Sequence, residues 1–350
     1  MYNNIASQTR KLWTICFNDN PKFVDMYFQK RYSDENNITH IQHRKVVAAL
    51  QTMHYPMTAF GGIIDTSYIS GACTHPDYRN QGIMRRLLQR ALQQTWIRGA
   101  PLSTLIPAEP WLFDYYARMG YAPIFYVHRY TFDRKEHDRY GECAPSEKLQ
   151  RHQSFEPAVY QYLNSRLMQR PCCIQHSEED FQVILADLAV SDGYLFTLAD
   201  HYATIRALAI LYTDHATHTL RVDELIADTP SMANRLLAAI CCERNVDTLE
   251  VTTPPLSAAK TDPYPLGMAR IIRPLLLLRR YAATHPTVHQ SIALTDLQLP
   301  VNDGYYTLAD GQCTYSPQAT TDESYDPYSI AQLTAKLFAD EMPYMSLMLN

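Results

Sequence analysis

Apolar positions along this chain follow two alternating rhythms, one with a period near 3.6 residues and one with a period of two, and the switches between them outline its elements. Residues 7–17 and 21–32 have helical spacing, with Leu12, Trp13, Cys16 and Phe17, then Phe23, Met26 and Tyr27, on their apolar faces. Residues 46–53 and 63–73 read as strands, with Tyr55-Pro56-Met57 and Gly61-Gly62 marking turns. Residues 83–97 form an amphipathic helix: Ile83, Leu87, Leu88, Ala91 and Leu92 share one face, and Arg85, Arg86, Gln89, Arg90 and Gln93 point elsewhere. Gly99 and Pro101 end it. A strand at 102–106, a short helix at 111–119 stopped by Gly120, and an alternating stretch at 121–132 complete a first block. The polar run 134–147, with Gly141 and Pro145, reads as a linker. Residues 148–262 then repeat the rhythm, with helices at 155–168, 178–190 and 231–242 and strands at 193–198, 203–212 and 220–226. The remainder holds a helix at 274–283, strands at 290–297 and 304–309, and a terminal helix.

Length and composition narrow the picture. A chain of 350 residues is too long for one core of ordinary size, so two or three domains are expected. With 46% hydrophobic and 19% charged residues it reads as a folded globular chain. The net charge of −5 is spread among interspersed acids and bases, and no concentrated basic face argues for a nucleic-acid partner. The N-terminus lacks the basic start and apolar run of a signal peptide, and Pro274-Leu-Leu-Leu-Leu278 is far too short to span a bilayer. No membrane partner and a cytoplasmic location are therefore expected. Among the eight cysteines, Cys172-Cys173 and Cys241-Cys242 are adjacent and no Cys-x-x-Cys occurs, so free buried thiols are expected instead of disulfides. His215-x-x-His218 lacks a nearby third ligand and reads as a surface loop, and no metal site is expected.

The chemistry concentrates between Ile69 and Leu88, where a strand, a proline turn and a glycine lead into the amphipathic helix. A diphosphate needs several backbone N–H donors converging on one point, and a helix start supplies them with the positive end of its dipole. Gly82 lets the backbone approach without a Cβ, and Arg79, Arg85 and Arg86 add positive charge. The string His75-Pro76-Asp77-Tyr78-Arg79-Asn80-Gln81-Gly82-Ile83-Met84 resembles the acetyl-CoA motif of the GNAT N-acetyltransferases, with Met84 where those have a small residue. That resemblance implies acetyl-CoA as co-substrate and a coenzyme set of Ala72, Cys73, Thr74, Arg79, Asn80, Gln81, Gly82, Ile83, Met84, Arg85 and Glu109. Tyr116-Ala-Arg-Met-Gly-Tyr121 matches the family's Tyr-x-x-x-Gly-Tyr/Phe string, which implies Tyr116 as the acid that protonates the departing thiolate. By residue type alone, Tyr115, Tyr116 and Tyr121 also suit a packed aromatic cluster.

One such domain would end near Asp133. The remaining length makes the whole chain resemble the enhanced-intracellular-survival (Eis) acetyltransferases. The implied fold class is α/β (α+β): tandem GNAT-like mixed-sheet domains followed by a small sterol-carrier-protein-like α/β domain. The expected divisions are 1–140, 141–265 and 266–350. In the second copy Ala227-Asp-Thr-Pro-Ser231 lacks the arginine and the glycine, so no second coenzyme site is expected. The resemblance further implies a base in the terminal carboxylate of Asn350, and the apolar end Met342–Asn350 suits a packed tail, although a surface position fits as well. The expected reaction is direct acetyl transfer to the primary amine of a small molecule, aminoglycoside-like, or of a protein lysine, in a homo-oligomer. Glu109 and Asp114 offer negative charge to a cationic acceptor. A non-catalytic acyl-CoA sensor or a lipid-binding protein is the alternative.

Overall fold

The computed structural model describes residues 5–136, 147–214, 217, 219–255, 262–320 and 324–348. Both His215 and His218, and Asn350, lie outside the described residues.

The first block comprises α1 (Ile5–Phe17), α2 (Pro21–Lys30), β1 (Asn37–Gln42), β2 (Lys45–Ala59), β3 (Gly62–Thr74), α3 (Ile83–Arg98), β4 (Leu102–Leu105), α4 (Trp111–Ala117) and β5 (Ala122–Asp133). The second comprises β6 (Lys148–His152), α5 (Pro157–Met168), β7 (Cys173–Ile174), α6 (Glu178–Val190), β8 (Gly193–Ala199), β9 (Ile205–Asp214), β10 (Thr219–Ala227), α7 (Pro230–Arg244) and β11 (Thr248–Thr253). The last contains β12 (Tyr264–Ile271), α8 (Pro274–Thr284), β13 (Gln290–Thr295), β14 (Gly304–Ala309), β15 (Gln312–Ser316), β16 (Asp326–Ser329) and α9 (Ile330–Phe338).

Mixed α/β layering results. The described strands form a twelve-stranded sheet in the order β1-β2-β3-β4-β12-β5-β11-β10-β9-β8-β6, with β7 on β2, and a four-stranded sheet β15-β14-β13-β16. The two larger blocks share a unit. In each, an antiparallel pair (β2–β3, β9–β10) leads through a helix (α3, α7) into a parallel strand (β4, β11). Such a crossover packs its helix against one face of the sheet. The strand β12 starts at Tyr264 yet lies between β4 and β5, antiparallel to both.

One local expectation is corrected. Tyr55-Pro56-Met57 is no turn, because β2 runs straight through it, pairing Pro56 with Asp65 of β3. A proline interrupts a strand only where its missing N–H is needed. Here the Pro56 carbonyl accepts from the Gln175 amide at 2.8 Å on the flank away from β3, so the ring nitrogen faces that flank and breaks no β2–β3 bond.

Two buried polar knots tie the blocks together. Arg270 of β12 is fully buried; it donates to the Met119 carbonyl at 2.9 Å and the Ile271 carbonyl at 3.1 Å, and pairs with Asp296. Asp296 also accepts from the Gln298 and Leu299 amides at 3.1 Å and from Asn302 at 2.9 Å, so neither charge is left bare. Glu224 of β10, equally buried, accepts from the hydroxyls of Tyr344, at 2.8 Å, and Ser346. The tail is thereby laid along β7, with the Tyr344 amide on the Cys172 carbonyl and the Ile174 amide on the Tyr344 carbonyl. Met345 is buried there, in the cluster that holds Trp13, Tyr55 and Tyr68.

Candidate functional site

Strands β3 and β4 diverge. Their parallel pairing covers only Thr66–Leu102, Ser67–Ser103 and Tyr68–Thr104, after which β4 stops at Leu105 while β3 continues to Thr74. The far half of β3 therefore presents one backbone edge to a cleft of about 1060 Å³. A bulge bends that half: Gly71 and Ala72 together oppose Leu50, between the pairs Ala49–Cys73 and Gln51–Ser70. Gly71 takes the left-handed conformation (φ 58°), and a Cβ there would stand 2.2 Å from Cζ3 of Trp13, so only glycine fits beneath that ring.

At one end of the cleft the chain leaves β3, makes a short 3-10 turn at Pro76–Tyr78 and enters α3. Asn80 (φ 62°) and Gly82 (φ 69°) are both left-handed, and no side chain caps the helix. Among the described residues no side chain takes its first amides, which leaves a concavity suited to an anion. Arg79 flanks it, its Nε donating to the Thr74 carbonyl at 3.1 Å. The buried Thr74 hydroxyl has no hydrogen-bond partner among the described residues, and Thr74 lines the same cleft. These features fit a diphosphate followed by an amide-bearing arm along β3.

The corresponding place in the second block is closed. Thr229 caps α7 by accepting from the Met232 amide at 3.2 Å, and Asp228 in that turn is occupied by Arg166 and Arg206.

At the opposite end stands α4. Tyr116 is 7% exposed, packed edge-on against Tyr115 and Tyr121 at 5.5 and 5.9 Å. Burial pushes its phenol well above the usual value, so the proton is held through neutral pH. Its hydroxyl makes no hydrogen bond among the described residues, and the residue borders the cleft. Tyr121, held by Ser103 at 2.7 Å and pushed up to about 12 by burial, is structural.

The cleft brings together Ala72, Cys73, Thr74, Arg79, Asn80, Gly82, Ile83, Met84, Arg85, Glu109 and Tyr116. Gln81 is not among the residues lining it: its side chain turns back to the Asp77 carbonyl at 3.5 Å. Asp114 does not line it either. The lining residues that sequence reasoning did not assign to a site include part of the first helix. Trp13, Cys16 and Phe17 of α1, and Asp19 just beyond, form one wall, with Trp13 Nε1 donating to Asp19 at 2.7 Å. Phe17 on the apolar face of α1 remains 36% exposed, a face wider than the core needs. From β3 come Tyr68 and Ser70; the latter meets the Tyr27 hydroxyl at 3.1 Å. Among the described residues no cluster of three or more His, Cys, Asp or Glu could hold a metal ion, and no helix is long and apolar enough to cross a membrane.

Residues 5–124 match the family described as an acetyltransferase (GNAT) domain. No curated protein matches the chain in sequence. Among solved structures, the chain is similar to a GCN5-related N-acetyltransferase from Anabaena variabilis, at 15% identity and TM-score 0.74, covering 97% of this chain and 96% of that one. A GCN5-related N-acetyltransferase from Kribbella flavida is similar at 17% identity and TM-score 0.71, over 98% and 95%. Eis1 from Mycobacterium abscessus is similar at 14% identity and TM-score 0.70, over 95% and 86%. At such identities the likeness is one of fold, and it extends along nearly the whole chain.

Proposed function

We propose that this chain, whose residues 5–124 match the GNAT acetyltransferase domain, is an N-acetyltransferase that uses acetyl-CoA to acetylate the primary amine of a small, cationic, aminoglycoside-like molecule or of a protein lysine. The observation that carries this reading is the uncapped start of α3 at Gly82, opening onto the same cleft as Tyr116.

Bound there, acetyl-CoA supplies an activated acetyl thioester. The amides at the start of α3, with Arg79 and Arg85, hold the diphosphate. The free edge of β3 from Ala72 to Thr74 orients the pantetheine arm, and its N–H groups face the charge that develops on the carbonyl oxygen. Tyr116 keeps its proton and delivers it to the leaving sulfur. Asp19 and Glu109, which line the cleft, draw a cationic acceptor in.

Where the chain ends at Asn350, its carboxylate takes the part of the base. What supports this is the route of the tail: Met345 is buried with Trp13 and Tyr68, and Met348 packs against the same cluster, next to the cleft. The proposal also takes the second block as a degenerate GNAT copy, the last block as sterol-carrier-like, and the protein as a cytoplasmic homo-oligomer.

Calorimetry with CoA and steady-state release of CoA from acetyl-CoA over a panel of amines test the reading. Binding together with amine-dependent turnover supports it. Binding without turnover of any amine makes the protein an acyl-CoA sensor, and absence of binding removes the coenzyme site.

A further inference from the structure

The cleft wall contains two thiols that acetyl transfer does not use. Cys16 on the last turn of α1 and Cys73 on β3 both line the cleft and pack in the same small cluster. A single carbonyl organises the neighbourhood. The Thr74 oxygen accepts from the Cys16 thiol at 3.4 Å and from Arg79 Nε at 3.1 Å, which fixes the guanidinium beside the Cys16 sulfur. The two thiols differ in kind. Cys16 is half-buried and open to the cleft, whereas Cys73 is 6% exposed. The neighbouring Cys73 thiol, with Arg79, lowers the Cys16 thiol to about 7, while the neighbouring Cys16 and burial hold Cys73 well above the usual range. An accessible, acidified thiol beside a buried protonated one is the arrangement of an attacking and a resolving cysteine.

We propose that Cys16 and Cys73 form a reversible disulfide when a hydroperoxide enters the cleft, and that this bond switches acetyl transfer off. The Cys16 thiolate attacks one peroxide oxygen; an S–O bond forms, the O–O bond breaks, and the departing hydroxide is protonated to water. The sulfur has lost two electrons and the peroxide has gained them. The Cys73 sulfur then attacks the Cys16 sulfur; an S–S bond forms, the S–O bond breaks, and hydroxide leaves as water with the Cys73 proton. Two thiols and one hydrogen peroxide thus give one disulfide and two waters. The bond ties α1 to β3 next to Thr74 and Arg79 and draws Trp13, already against Gly71, along with it. The loss of activity rests on the reading of this cleft as the coenzyme site; formation of the disulfide does not.

The test uses the full chain carrying Cys242→Ser, which removes an exposed thiol that does not line the cleft. The protein is treated with hydrogen peroxide, its remaining thiols are blocked with iodoacetamide, and the digest is mapped by mass spectrometry. The expected product joins the Cys16 and Cys73 peptides, short of two hydrogens, and dithiothreitol separates them. Activity falls about tenfold or more as that peptide accumulates and returns on reduction, and saturating CoA slows its formation. In a Cys73→Ser variant the sulfenic acid persists at Cys16 and dimedone captures it. Recovery of Cys16 and Cys73 both fully alkylated, under conditions that oxidise other thiols, overturns the proposal. So does a disulfide that leaves acetyl transfer at full rate. A disulfide that forms in a protein with neither CoA binding nor turnover refutes the coenzyme reading and leaves the thiol chemistry standing.

Discussion

Tyr116 keeps its proton because it is buried between Tyr115 and Tyr121, and a donor whose folded pKa is raised stays loaded from acid pH up to that raised value. The high-pH limb of kcat is therefore expected not to fall through loss of this proton below about pH 10, the ordinary tyrosine value. Replacing the phenol by Tyr116→Phe should lower kcat about 10²-fold or more with little change in the KM for acetyl-CoA, since only proton delivery is lost. Steady-state kinetics across pH checks both. Gly71 matters for a different reason. Gly71→Ala places a methyl 2.2 Å from the Trp13 ring in a left-handed residue, so urea denaturation should show a loss of about 1–3 kcal/mol.

At the scale of elements, the starts of the two crossover helices α3 and α7 make a matched pair. Gly82→Ala adds a Cβ at a left-handed position, 3.4 Å from Arg86 Nη1 and facing the cradle, and should raise the Kd for CoA about tenfold in calorimetry. Thr229→Ala should cost about 1 kcal/mol of stability as a lost helix cap and leave that Kd unchanged. The contrast was legible in the chain itself, because glycine and arginines mark one turn and Ala227-Asp-Thr-Pro-Ser231 the other. So was the strand–turn–helix around Gly82, whose signals are local. Other elements were hidden because their causes are distant. Nothing near Pro56 tells which way its nitrogen points, and β2 was cut short for that reason. The short strand β1 pairs with β2, and β7 with β2 and, at Cys173, with Tyr344 of the distant tail. On α1, Trp13 and Cys16 read as ordinary core positions, since only the divergence of β3 from β4 opens a cleft in front of them.

For the whole molecule, the buried pair of Arg270 and Asp296 couples the small sheet to the large one and anchors the turn after α4 through Met119. Arg270→Met leaves Asp296 without its charge partner and should cost about 3–5 kcal/mol, measured by urea denaturation. Glu224 accepts from the Tyr344 and Ser346 hydroxyls, so Glu224→Ala strands both tail hydroxyls and should cost about 1–3 kcal/mol, read in a thermal melt. The position of β12 has a consequence for how the protein is made. Its neighbours β4 and β5 have left the ribosome by Asp133, but the strand that fills the gap between them is complete only at Ile271. At roughly 5–20 residues per second, the edges of β4 and β5 that face this gap stay open for on the order of ten seconds. During translation those edges are the places where the newborn protein is most open to mispairing or to capture by a chaperone.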